Sequence, residues 1–463
     1  MGIVLRAFCP HPPLLVPQVG GMELELVRKT KGAMETVARN VKEAEPEVVI
    51  IISPHAPLFR DAFSLWELPQ MEGDFGQFGA PHLQLKRELD LGLAAKVASR
   101  EKNLVRLNQG QANSYGLSTK LDHGCLVPLY YLHKAGVDVP ILPLGMSLLP
   151  FPKLYNFGLS LREAIEELGR RAAIIASGDL SHCLTADAPG GYHPQGELFD
   201  REFVDKLVKM DVAGLSALNS DLVEAAGQCG FNSLAILLGT LEGLEARASV
   251  LSYEGPFGVG YCTAQIAAGE EDPTRFLAQS LEANWQRMQA NKKTEVHKIV
   301  RLAMDAVEAF VESGKVISPE EAPEELLKTR AGAFVTLKQG GQLRGCIGTI
   351  GPTKATLAQE IIANAIAAAT EDPRFSQVEP EELTQLTYSV DVLGEPEAID
   401  SLSQLDPERF GVIVKSGRRR GLLLPNLEGV DSAQRQVAIA KSKAGIGPEE
   451  DVELFRFQVV RYR

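Results

Sequence analysis

Along the first half of the chain, short apolar runs of period two alternate with amphipathic stretches of period about 3.6, the two signatures of strand and helix. The runs at residues 3–8, 48–52, 139–144 and 171–176 predict strands, and residues 23–43 and 160–168 predict helices. The run at 48–52 is apolar throughout, which predicts a strand covered on both faces. Strands that alternate with helices in this way predict a layered α/β domain.

After Gly269-Glu270-Glu271-Asp272-Pro273 the β-type runs give way to polar helical sequence with Trp285. A fresh amphipathic helix is predicted over 296–312, with Val296, Ile299, Val300, Met304, Val307, Phe310 and Val311 on one face. These shifts divide the chain into domain 1–272, linker 273–294 and domain 295–463. No internal repeat or low-complexity tract interrupts either domain.

Length supports the division, because 463 residues exceed the roughly 250–300 that one hydrophobic core serves. A formal charge of −13 excludes a general phosphate-backbone binder, which needs a basic surface. The cluster Arg418, Arg419 and Arg420 reads as an exposed turn. Six cysteines without a CxxC pair fit reduced thiols, and prolines 10, 12, 13 and 17 break the apolar start too early for a secretory or spanning helix. A cytoplasmic protein without a membrane or nucleic-acid partner is expected. A homo-oligomer is compatible with the exposed sheet edges of such domains.

Four of the eight histidines lie beside turn signals, in Cys9-Pro10-His11-Pro12, Ser53-Pro54-His55-Ala56-Pro57, Leu121-Asp122-His123-Gly124 and Asp179-Leu180-Ser181-His182. Three of these segments follow predicted strands, where ligands collect in open α/β sheets. Any one histidine alone reads as a buried ring bonded to a carbonyl, but four together point to a shared site, since imidazole is the commonest metal ligand. Asp179 reads first as a helix cap. His193, in Gly190-Gly191-Tyr192-His193-Pro194, is a candidate for a loop lining the pocket; His82, His133 and His297 read as surface or supporting residues.

Taken in order, PHPP, SPHAP, DHGCLVPL and SGDLSH resemble the LigB-like superfamily over roughly residues 1–270. This superfamily comprises class III extradiol dioxygenases and the related Memo proteins. The resemblance implies a layered α/β fold, with His11 and His55 holding Fe(II); zinc is the alternative that a thiolate ligand would suit at least as well. It implies His182 as acid/base and His123 as substrate-orienting partner. Two histidines and a carboxylate leave positions open on iron for a catecholate and dioxygen. The third ligand is implied near Cys229, the residue of the Memo branch, with Glu224 and Glu254 as carboxylate alternatives. A buried apolar role for Cys229 carries equal weight.

From about Glu295 onward the chain resembles the AMMECR1 family, through Leu343-Arg344-Gly345-Cys346-Ile347-Gly348-Thr349, Glu371-Asp372-Pro373-Arg374-Phe375 and Gly421-Leu422-Leu423-Leu424-Pro425. That resemblance implies an α+β fold. Arg344 as an anion binder and Cys346 as a nucleophile make a candidate second site, against a packed turn as the plainer reading.

Three functions follow. The first is an Fe(II)-dependent oxidoreductase resembling extradiol dioxygenases, which takes a small aromatic substrate and dioxygen. The second is a Memo-like metal or redox component of a protein or peptide modification system, with a protein partner. The third is a zinc-dependent hydrolase, since two histidines, a cysteine and a water make a catalytic zinc set.

Overall fold

The computed structural model describes residues 2–295, 297–425, 430 and 432–462. Val296, the first residue of one predicted helix, lies outside the described residues, and that helix is observed over Lys298–Ser313. The chain divides into two compact units, Met1–Met288 and Gln289–Arg463.

Strands of the first unit are β1 (Gly2–Cys9), β2 (Val48–Ser53), β3 (Phe63–Trp66), β4 (Gln70–Phe75), β5 (Ala80–Glu88), β6 (Leu104–Leu107), β7 (Ile141–Gly145), β8 (Arg171–Ser177), β9 (Leu244–Glu254) and β10 (Tyr261–Glu271). All but the β4–β5 hairpin join one sheet, in the order β6-β3-β7-β2-β8-β1-β10-β9. Its centre, β7-β2-β8-β1, is parallel, while β10 and β9 close one edge antiparallel.

The alternation of side chains along β2 explains why a continuous apolar run is needed there. Val48, Ile50 and Ile52 enter one core layer, and Val49 and Ile51 enter the other. Helices Phe151–Glu167 and Phe231–Gly239 line the first layer; Arg28–Glu43 and His123–Lys134 line the second.

Some boundaries differ from the pattern-based reading. Residues 160–168 prove to be the end of a longer helix whose start is hidden by Pro150 and Pro152, residues that a first helical turn tolerates. Segment 273–294, read as a linker, holds a short turn at Pro273–Arg275 and the helix Ala278–Glu295, whose Leu281 is buried in the first core.

In the second unit, β11 (Ala333–Gln339), β12 (Gln342–Gly348), β13 (Leu386–Leu393) and β18 (Val459–Tyr462) form one antiparallel sheet, ordered β12-β11-β13-β18. A second sheet runs β14-β17-β15-β16, from Glu397–Ile399, Glu453–Phe457, Gly411–Ser416 and Arg419–Leu423. Helices Lys298–Ser313 and Leu357–Thr370 bury Val300, Val307, Ile361 and Ala365 with Val335 and Val390 of the first sheet. This is an α+β unit. No helix among the described residues is long and apolar enough to cross a membrane.

Candidate metal centre

Register places the site. Cys9 is level with Ser177, and Ile52 with Ala176, so β1, β8 and β2 end together. His11, Asp179 and His55 each follow two residues beyond those ends, and His182 follows in the same loop as Asp179. Three adjacent strands therefore deliver three polar groups to one place, which is the geometric advantage of parallel strand ends.

Nε2 of His11 stands 3.0 Å from Nε2 of His55 and 3.7 Å from Sγ of Cys229. The ligand atoms of His11, His55 and Cys229 all lie within 4.8 Å of one another, and so do those of Asp179, His182 and Cys229. Cys229 comes from another part of the chain, just before the helix Phe231–Gly239, and the backbone locks it in place. Its N–H donates to the Asp179 carbonyl at 3.2 Å, and the Asp179 N–H approaches its sulfur at 3.2 Å. This contact requires glycine on both sides: a Cβ on Gly178 would lie 2.1 Å from Cα of Gly230.

His123 opens the helix His123–Lys134 rather than lying in a loop, with Asp122 as the cap that accepts the Cys125 N–H. Its ring is tilted against His55 at 4.0 Å between centroids, and Phe78 meets it edge-on.

Asp179 caps no helix. The next helix begins at Pro194, and Asp179 instead accepts the His11 N–H at 3.0 Å, with its other oxygen 3.9 Å from His11 Nε2. The glutamate alternatives lie elsewhere. Glu254 accepts the N–H and hydroxyl of Thr30, both at 2.7 Å, and Glu224 is exposed on a short helix and in neither ligand group. His193 is an exposed helix cap. His82 and His133 are exposed on β5 and on the outer end of the helix His123–Lys134, and His297 caps a helix of the second unit.

Electrostatics favour neutral rings. Burial, then the neighbouring charges of His55, His123 and His182, hold His11 well below the ordinary imidazole value of 6.5. His55 is exposed as a residue, but partial desolvation of its ring among the other imidazoles, then His123, lowers it to about 4. Burial also lowers His123 and His182. A neutral imidazole offers the lone pair that a cation needs. Burial raises Asp179 to about 7 and pushes the Cys229 thiol up, so both are poor anions until a cation compensates them. The donor set of two facing imidazoles and a thiol, with Asp179 and His182 close to the same sulfur, fits a transition-metal ion.

In metal-free protein, NMR titration of His55 is expected to give a midpoint near 4 instead of 6.5. Because the unfolded ring binds a proton at the higher pH, this group's contribution to stability is full above 6.5 and is lost as pH falls towards 4. Asp179 works in the opposite sense between its ordinary 3.8 and about 7, where the folded state holds the extra proton and stability falls with rising pH. A His55 midpoint near 6.5 would contradict the desolvated site.

The second candidate site separates into its two residues. Arg344 is 9% exposed, and its guanidinium is already engaged: it donates to both oxygens of Glu382 at 2.8 Å and to the carbonyls of Ser376 and Gln377. It braces the fold and is not free to take an anion. Cys346 is half-buried beside the Thr336 hydroxyl at 3.3 Å, and its N–H donates to Asp372.

The comparisons with known proteins follow the division of the chain. A family model described as the catalytic LigB subunit of aromatic ring-opening dioxygenase matches residues 5–264, and the AMMECR1 model matches residues 300–462. That first match makes the α/β domain, with histidines, a carboxyl group and a thiol gathered at one end of its mixed sheet, a member of the extradiol dioxygenase-like superfamily. The chain belongs to the LigB family and carries an AMMECR1 domain after it. Protein CA_C1420 of Clostridium acetobutylicum is 40% identical over 461 residues, covering 98% of both chains. A Thermotoga maritima protein is 57% identical over 171 residues, 36% of this chain and 98% of its own. Among solved structures, PH0010 of Pyrococcus horikoshii is similar at 35% identity over 35% of this chain and 88% of its own, with a TM-score of 0.33. JW3007 of Escherichia coli is similar at 14% identity over 57% of this chain and 100% of its own, with a TM-score of 0.39.

Proposed function

We propose that the first unit is a non-haem metal-dependent oxidoreductase that takes Fe(II) and acts on a catecholic or related small aromatic compound with dioxygen. The carrying observation is the approach of His11 and His55 through their Nε2 atoms, 3.0 Å apart, with the Cys229 sulfur beside them. His11, His55 and Cys229 would hold the ion, and the ligand atoms of Asp179 and His182 lie within 4.8 Å of the Cys229 sulfur. Ferrous iron would supply one-electron chemistry towards dioxygen and open positions for the substrate oxygens.

The chain's own groups take the remaining tasks. His182, kept neutral by burial, is suited to accept a phenolic proton and return it. His123, packed between His55 and Phe78, presents a ring that orients a planar substrate at the mouth of the site. A second reading is favoured by the thiol: a softer ligand than carboxylate suits a Memo-like metal or redox role in a modification system, and suits zinc as well as iron.

The test is metal content and oxygen uptake of protein purified without oxygen. Bound iron with oxygen consumption on addition of catechols supports ring cleavage. Stoichiometric zinc without oxygen uptake favours hydrolysis and sinks the dioxygenase reading. A bound redox metal inert towards catechols favours the modification role.

A further inference from the structure

We propose that Ser177 is a positioning residue that fixes His11 in the Nδ1–H tautomer and so aims the Nε2 lone pair at the metal position; this rests on the metal-site reading above. A serine hydroxyl has one hydrogen to give. That of Ser177 goes to the Gly124 carbonyl, an acceptor only, at 2.6 Å. Ser177 is fully buried, so no solvent offers the hydroxyl another orientation. Its contact with His11 Nδ1 at 2.9 Å must then run the other way, with the ring N–H donating to the serine oxygen. A neutral imidazole carries one N–H, which leaves Nε2 bare.

The bare nitrogen is the one facing His55, 3.0 Å away. In metal-free protein the two rings are therefore joined by a hydrogen on His55 Nε2, and an entering cation takes that hydrogen's place. Ser177 also connects the two sides of the site. Gly124 lies in the first helical turn, so close to the second strand end that a Cβ there would stand 2.4 Å from Ser53 Oγ and 3.5 Å from His55 Cδ2. Ser53 in turn accepts the His55 N–H at 3.2 Å and donates to Asp122 at 2.5 Å. The start of the helix His123–Lys134 is thus a block against which both imidazoles are set. Partners of this kind fix ligand orientation in metal sites, and their loss lowers affinity about 10- to 100-fold.

The experiment begins with wild-type, metal-free protein labelled with nitrogen-15 in its histidines, where two-bond couplings identify the protonated ring nitrogen. His11 is expected protonated on Nδ1, and protonation on Nε2 would overturn the proposal whatever the variants do. Zn(II) and Fe(II), each alone and the latter without oxygen, are then titrated into Ser177→Ala and Ser177→Thr. The alanine variant is expected to lose about 10- to 100-fold in affinity and the threonine variant, which keeps the hydroxyl, to regain most of it. Unchanged affinity in a folded Ser177→Ala protein would overturn the positioning role. The two readings fail separately: normal metal binding by His55→Ala would remove the metal site and leave the tautomer result standing.

Discussion

His55→Ala is expected to abolish metal binding at micromolar metal, whereas His182→Ala keeps the metal and loses turnover. Four protein ligands hold structural zinc with roughly 10–16 kcal/mol, so one ligand accounts for about 2.5–4 kcal/mol, a factor of roughly 100 to 1,000 in affinity. His55 is the exposed member of its ligand group, beyond the end of β2, so its removal leaves the layered core of Val48, Ile50 and Ile52 untouched. The fold should survive, and the loss should be specific. Isothermal titration with Zn(II), alongside circular dichroism, measures both. A His55→Ala protein that binds metal as wild type does would remove the ligand assignment, and with it the oxidoreductase proposal.

Arg344→Ala is expected to destabilise the second unit by about 2 kcal/mol, between the cost of losing a surface ion pair and that of breaking a buried one, since the pair is only partly buried. Glu382 would lose a two-pronged partner, and the carbonyls of Ser376 and Gln377 would lose a donor. Arg344→Lys should rescue little, since an ammonium cannot reproduce the planar fork. Denaturant unfolding of the full chain, following the transition of the second unit, checks this. Wild-type stability in Arg344→Ala would revive an anion-binding role for this residue.

His11 and His55 were legible because each stands beside prolines next to an apolar run, and His182 because it follows the Gly178 that ends another such run; punctuation of this kind marks where a strand stops. Asp179 was not. A carboxylate after Ser-Gly reads as a helix cap, and only the course of the backbone, with the next helix delayed to Pro194, frees it to meet His11. Arg344 was misleading for a similar reason, since its partner Glu382 lies 38 residues away and nothing local announces the pair. Ser177 carried no signal at all, because a serine at a strand end is ordinary until its one hydrogen is traced to Gly124.

The amino-acid pattern alone determined the division into two units, the α/β class of the first and the strand ends at which chemistry would gather, because periodicity and punctuation are local properties; the α+β class of the second came from its resemblance to AMMECR1. Tertiary structure decided which of the gathered groups share one site. Whether Cys229, Glu224 or Glu254 approaches the imidazoles depends on a Gly178–Gly230 contact between segments far apart in sequence, and Glu254 turned out to serve Thr30 instead. A ligand set is defined by distances of a few ångströms, and such distances arise only when the whole sheet and the helices on both its faces pack together.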